Sequence, residues 1–520
     1  MKLRNLLAPA LLLTFSVANA QYYVDTSIPN PMVEKNTFIN KKPNTAQPPL
    51  FKDIKSNLPQ PLWPNRTDVI KCYWNAWEIA FSNLRGVTKE NNFKEPYIDA
   101  AFNKHIFMWD STFMLLFGRY GHNSFNFQGS LDNFYSKQHI DGYICREIDE
   151  ANGIEIFEKF DPSSTGPNVI PWAEWEYYLN FKDTERLNSV FSPLLAYYQW
   201  FKTNRSWPDG SYYSSGWGCG MDNQPRIPAG FSPMLSHAFM SWIDTSLQQI
   251  FAGKILLKMA KELNRQNEVE DVQQEVTQLN DYVNNKMWNN ETSFYYDRFR
   301  NGSLSKVKSI ASYWALLAEA VPEKNLKSFI AHLENPKEFD RIHRVPTLSA
   351  DDPAYDPKGG YWCGGVWAPT SYMVLRGLTK YKQDSLAYEI ATNHLDNVVK
   401  VFNETGSLWE NYAPDFVKGN DTKDMVGWTG IVPISVLFEY IFGIRPNVSE
   451  NEIVWDIRMT DEFGVKKYPY KQHGLIDFWC AKRKKLTEQP KIKIHSDVPF
   501  TLKLVWEGGS KLIKIKGDNN

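Results

Sequence analysis

The sequence predicts a mainly α-helical body followed by a small antiparallel β domain at its C-terminal end. Three observations carry this prediction. Apolar stripes at helical spacing recur through residues 70–445, long loops dense in Gly, Trp, Tyr, Asp and Asn separate them, and two-residue alternation begins after Pro446. Roughly a dozen helices alternating with such loops fit a helical toroid, in which two rings of helices gather their connections around one mouth. An irregular bundle shares the same periodicity.

Within the body, Trp74, Trp77 and Phe81 stand at i, i+3 and i+7. Leu247, Ile250, Phe251, Ile255, Met259 and Leu263 keep the helical period along a longer segment whose other face carries Lys254, Lys258, Lys261 and Glu262. Both read as core stripes. Further helical stretches cover about 172–181, 185–202, 268–287, 309–320, 326–333, 369–381, 385–402 and 429–442. In the tail, Ile492 and Ile494 alternate with lysines, and Phe500, Leu502, Leu504 and Trp506 alternate on the next run. The stretch Glu507-Gly508-Gly509-Ser510 then marks a hairpin before Leu512 to Ile515. This tail reads as a structural cap or as a carbohydrate-binding module.

The remaining residues set the context. Lys2 and Arg4, the apolar run Leu6 to Val17 and the small residues Ala18-Asn19-Ala20 read as an export signal over residues 1–20, against an uncleaved anchor for which the apolar run is short, so the mature chain is expected to start at Gln21. The expectation is a periplasmic or secreted protein with no membrane insertion after cleavage. Residues 21–69, rich in proline, read as an extended arm, 70–445 as the helical body and 446–520 as the β domain. Five widely spaced cysteines form no disulfide framework and leave at least one free thiol. Lys+Arg 58 against Asp+Glu 59 gives a net charge of -1, without the basic excess that neutralises phosphates, so nucleic acid is not the expected partner. With 42% hydrophobic and 15% aromatic residues the chain is neither disordered nor fibrous.

Four loop motifs concentrate the chemistry: FMWDS from Phe107 to Ser111 with QHIDGYICRE from Gln138 to Glu147, GWGCGMDNQPR from Gly216 to Arg226, GGYWCGGVWAPTSY from Gly359 to Tyr372, and GSLWENYAPD from Gly406 to Asp415. Aromatics beside Asp and Gln suit a sugar, whose C–H faces stack on indole while its hydroxyls need paired acceptors and donors. Read alone, Trp109-Asp110 also fits a packed aromatic beside a helix cap, Asp222 a structural partner of Arg226, and Glu410 a solvated loop carboxylate. The Gly-rich loop can present Asp222 in a pocket that raises its pKa, as a general acid needs, and Glu410 between Trp409 and Tyr412 suits a base that activates water. Trp428, in Gly427-Trp428-Thr429, adds an aromatic at the start of the last helix.

The ordered set WDS, QxxDG, WGxGMDNxPR, YWxGxVW, LWExY and GWT resembles glycoside hydrolase family 63 and its mannosylglycerate-hydrolase-like and trehalase-like relatives. The resemblance implies an (α/α)6 barrel over about residues 70–445 and an exo-acting, inverting hydrolysis of an α-linked glycoside, by default an α-glucoside, in a pocket. It implies Asp222 as general acid and Glu410 as general base. Phe107, Trp109, Asp110, Gln138, Trp217, Gly220, Tyr361, Trp362, Trp367 and Trp428 are expected to shape the sugar subsite. No metal or organic cofactor is required, and the expected partner is an oligosaccharide or glycoside. Two departures stand out: the family's usual YWRGPVW reads Tyr361-Trp362-Cys363-Gly364-Gly365-Val366-Trp367 here, and Cys219 sits inside the acid loop. Arg226 is expected to point away from Asp222, because a direct pair would lower the acid's pKa. The competing readings are a non-catalytic glycan-binding protein on the same scaffold and a phosphorylase or lyase on an α-toroid.

Overall fold

A computed structural model describes residues 27–518; the expected export signal lies outside them. Eight principal helices carry the body: α1 (Thr67–Ser82), α2 (Met108–Gly118), α3 (Ile170–Phe181), α4 (Thr184–Asn204), α5 (Ile243–Glu262), α6 (Glu270–Tyr282), α7 (Ala368–Lys380) and α8 (Asp384–Thr405). The fold is mainly helical, with several small sheets.

Sequence decides which helices lie inside. Every residue of α2 is buried, the polar Asp110, Ser111 and Thr112 among them, whereas α6 buries only the stripe Val272, Glu275, Val276 and Leu279. The contacts run in order from α2 to α3, to α5, to the short helix Trp314–Leu317, to α7, and to the turn Thr429–Ile431, which meets α2 again. Helix α4 lies against α3 and α5, and α6 against α5. Helices α1 and α8 cover the wide helical segment Val432–Ile441. Inside, Arg119 and Arg376 each bridge Glu176 and Glu439, a buried and charge-balanced set that loses much if any one member is removed.

Twelve of the strands frame the site or build the C-terminal sheets. They are β1 (Gln60–Leu62), β2 (His105–Phe107), β3 (Glu147–Asp149), β4 (Trp409–Tyr412), β5 (Gly419–Lys423), β6 (Ile444–Asn447), β7 (Glu452–Asp456), β8 (Phe463–Tyr470), β9 (Gly474–Cys480), β10 (Ile492–Ser496), β11 (Phe500–Trp506) and β12 (Gly509–Ile515). Two pairs, β2 with β3 and β4 with β5, serve the site. The C-terminal strands form two four-stranded sheets, β1-β8-β9-β10 and β6-β7-β11-β12.

Three expectations are corrected. The C-terminal sheets are not wholly antiparallel: β7 and β11 run parallel, because the chain crosses to build β8–β10 between them. The arm contributes β1 to one of these sheets instead of only lying over the body. The helix expected over 309–320 is broken into a tight turn, Ile310–Tyr313, and the short helix Trp314–Leu317. The hairpin turns where expected, with Trp506 opposite Gly509. All five cysteines are unpaired.

Candidate active site

The acid-loop motif folds as a single helical turn, Gly216–Cys219, capped by Ser215, whose Oγ accepts from the Gly218 amide at 3.0 Å. Its glycines are sterically required. A Cβ on Gly216 would meet the Pro233 carbonyl at 2.2 Å, and Gly220 closes the turn at φ +78° beneath the Trp109 ring. The next residue but one is Asp222. Arg226 turns away from it and forks onto Asp244 at 2.7 and 2.8 Å and Asp297 at 2.8 and 2.7 Å, as expected of a residue that must not quench the acid.

The residues after Asp222 fasten it to the aromatic loop. Asn223 accepts from the Trp362 amide at 2.9 Å and donates to the Gly360 carbonyl at 3.0 Å. Gln224 donates to the Thr347 carbonyl at 2.7 Å. The departures from the family's loop pattern have structural partners. The Cys363 thiol donates to the Asn223 carbonyl, and Gly365 donates its amide to the Tyr361 carbonyl at 3.1 Å, a bond that proline lacks the hydrogen to make.

Glu410 lies on β4, paired with β5 across an irregularity at Trp409/Asn411. Its carboxylate accepts from the Thr422 amide at 3.1 Å. Its own carbonyl accepts from Trp428 Nε1 at 2.7 Å, so the GWT motif braces the LWENY strand.

These elements enclose a cavity of about 380 Å³. Of the residues expected there, it is lined by Phe107, Trp109, Asp110, Trp217, Gly220, Asp222, Tyr361, Trp362, Glu410 and Trp428. Two others are not. Gln138 is buried elsewhere, its amide accepting from Asn36 of the N-terminal arm and donating to the Gly142 and Pro193 carbonyls, so it is committed to the fold and not to the cavity. Trp367 stands behind the wall, stacked on Trp362 at 3.8 Å and 8°, and its indole nitrogen donates to the Tyr361 carbonyl. Sequence reasoning missed Phe102, Arg146, Glu147 and Phe157, which also line the cavity. Arg146 and Glu147 close the QHIDGYICRE segment in the sequence. What brings them in is the pairing of Phe107 with Glu147 across β2 and β3, a long-range register with no local signal.

The electrostatics separate the carboxyl groups. Burial pushes Asp222 up to about 6, with the charges of Glu410 and Glu147 adding to it and Arg146 opposing. Burial also raises Glu410, while hydrogen bonds from Thr422 and Tyr361 hold it back. Asp110, in the first turn of α2, is fully buried and held well above the usual carboxylate range, and its Oδ1 has no hydrogen-bond partner. An unpartnered buried oxygen beside an aromatic cavity is suited to a ligand hydroxyl. Among the described residues no cluster of His, Cys, Asp and Glu is arranged to hold a metal ion, and no helix is long and apolar enough to cross a membrane.

Residues 103–424 match the model of the mannosylglycerate hydrolase MGH1-like glycoside hydrolase domain. The chain is a glycoside hydrolase, an enzyme that cleaves glycosidic bonds. It belongs to the mannosylglycerate hydrolase MGH1-like family. It is 24% identical over 400 residues to an uncharacterized protein of Borreliella burgdorferi, covering 74% of this chain and 81% of that one. It is 22% identical over 284 residues to a probable mannosyl-oligosaccharide glucosidase of Schizosaccharomyces pombe, a match that covers 48% of this chain but only 34% of the glucosidase. The fold is shared with a family 63 mannosylglycerate hydrolase of Thermus thermophilus solved with glucose, at TM-score 0.57 and 18% identity over 70% of this chain and 99% of that one.

Proposed function

We propose that this enzyme is an exo-acting, inverting α-glycosidase in which Asp222 is the general acid and Glu410 the general base. The observation that carries this reading is the placement of both carboxyl groups in one aromatic-walled cavity, with Asp222 raised to about 6. A carboxyl group with that pKa stays partly protonated near neutrality and can donate to the glycosidic oxygen as the bond breaks. Ionised Glu410 takes a proton from water attacking the opposite face of the oxocarbenium-like centre. Inversion requires the two carboxyl groups to stand roughly 6.5–9.5 Å apart to admit that water. Asp110 offers its unpartnered oxygen to a sugar hydroxyl, and Trp109, Trp217, Trp362 and Trp428 stack on the ring and exclude water.

The cavity lies at the small end of the usual range for ligand pockets, about 300–1,000 Å³, which favours a terminal sugar over an internal stretch of polymer. The glucosidase among the relatives supports an α-glucoside as the default. The cyclic order of helix contacts supports an (α/α)6 barrel spanning residues 70–445, and the two four-stranded sheets support a β domain from 446 onward that takes in β1 of the arm. The signal-like residues 1–20 support export of the mature chain.

An α-glycosyl fluoride tests the role assignment, because fluoride departs without a proton. Asp222→Asn is expected to keep most of its fluoride hydrolysis while losing activity on glycosides with unactivated leaving groups, and Glu410→Gln to lose both. The opposite pattern would reassign the pair.

A further inference from the structure

Among the described residues, the charged side chains lining the cavity are four carboxyl groups, Asp110, Glu147, Asp222 and Glu410, and one guanidinium, Arg146. Arg146 is already engaged. Its Nη2 stands 3.2 Å from Glu147 Oε2, its Nε donates to the Ser163 carbonyl at 2.6 Å, and its guanidinium lies over the Phe157 ring at 4.5 Å. The pair is nearly buried, with side chains 14% and 9% exposed, so the two charges largely cancel within the wall. His105 sits behind Glu147, its Nδ1 2.6 Å from Oε1, and does not line the cavity.

This arrangement places the pair beside the acid. Arg146 is the strongest charged influence on Asp222, and Glu147 is felt there as well. The acid's side of the cavity is where the leaving group departs. With Asp222 protonated for catalysis, Glu410 must still be ionised to act as base, and Glu147 and Glu410 against Arg146 leave the working cavity net negative. A carboxylate on the leaving group would then meet Glu147 and Glu410 at low dielectric, and Arg146, the one cation among the described lining residues, is already balanced by Glu147.

Resting on the hydrolase reading above, we propose that the leaving group of the natural substrate is uncharged, a sugar or polyol without a carboxylate, and that Glu147 sets this specificity by occupying Arg146. The glycerate of mannosylglycerate, which gives the family its name, bears the carboxylate that this cavity is built to refuse.

Matched pairs test the proposal: α-glucosylglycerol against α-glucosylglycerate, and α-mannosylglycerol against α-mannosylglycerate. Initial rates are measured near neutral pH, with quenching of tryptophan fluorescence as an independent readout of binding. The wild type is expected to favour the uncharged member of the pair it accepts by about tenfold or more, the scale of one close like-charge contact. Glu147→Gln frees Arg146 and is expected to narrow that gap by improving the charged member. Equal or better handling of the charged member by the wild type overturns the proposal, whether or not the variant folds, and so does an unchanged gap in a folded Glu147→Gln. Failure of every compound both to turn over and to bind would overturn the sugar-pocket reading itself and this proposal with it. A preference for glycerate overturns the proposal alone.

Discussion

Asn223 joins the two halves of the candidate site: its Oδ1 accepts the Trp362 backbone amide at 2.9 Å, one residue after Asp222 and at the base of the aromatic wall. Through this bond and its partner to the Gly360 carbonyl, the acid and the ring surface are held in one geometry. Asn223→Ala removes both bonds and lets Asp222 shift against the sugar. The expected result is a kcat reduced by about 10²-fold, the cost of a misplacement of about 1 Å, in a protein whose thermal midpoint falls only slightly. Steady-state kinetics beside a melting curve check it.

The carboxyl pKa values fix the pH profile. Asp222 must be protonated to act, so kcat/KM is expected to fall as pH rises through about 6. Glu410 must be ionised, and its raised pKa places the acidic limb above the ordinary glutamate range. The expected profile is a narrow bell on the acid side of neutrality. On a glycosyl fluoride, Asp222→Asn should lose the alkaline limb and keep the acidic one.

The same shift bears on stability. For a carboxyl group raised from 3.8 to about 6 by folding, the stabilisation carried by its protonated form is complete below the unfolded value and is lost as pH rises through about 6. Asp222→Asn is therefore expected to be more stable than the wild type at neutral pH, by at most about 3 kcal/mol, with the difference vanishing toward pH ~4. Denaturant melts at two pH values measure it, and a less stable variant at neutral pH would contradict the burial that raises the acid.

Trp367 backs the wall without lining it. Trp367→Ala removes the ring stacked on Trp362 and is expected to cost about 3–5 kcal/mol, with KM raised because Trp362 loses its support. Trp367→Phe should recover part of both.

Gln138 provides the contrasting case. Its amide ties Asn36 of the N-terminal arm to the Gly142 and Pro193 carbonyls of the body, so Gln138→Ala is expected to cost about 1–3 kcal/mol of stability and to leave KM and kcat near wild type. A large KM effect would return Gln138 to the sugar subsite.

Much of this site was legible in the sequence because its signals are local. Gly220 ends a turn at positive φ, Asp222 stands two residues on, and Trp109-Asp110 opens a helix, all within a few residues. What the sequence hid depends on pairing at a distance. Arg146 and Glu147 reach the cavity through the register of β2 with β3, and the parallel contact between β7 and β11 depends on a crossover through the other sheet. Gln138 misled because a buried amide looks the same whether it binds a ligand or the backbone. Trp367 misled because its neighbour Trp362 occupies the face toward the cavity.

The most direct test of the central claim is a proton NMR time course of hydrolysis of an α-linked substrate, observing which anomer of the released sugar appears first. With Asp222 as acid and Glu410 as base across an attacking water, the β-anomer appears first and mutarotates later, and both signals are lost in Glu410→Gln. Initial release of the α-anomer would mean retention, and would contradict the assignment of Glu410 as a base.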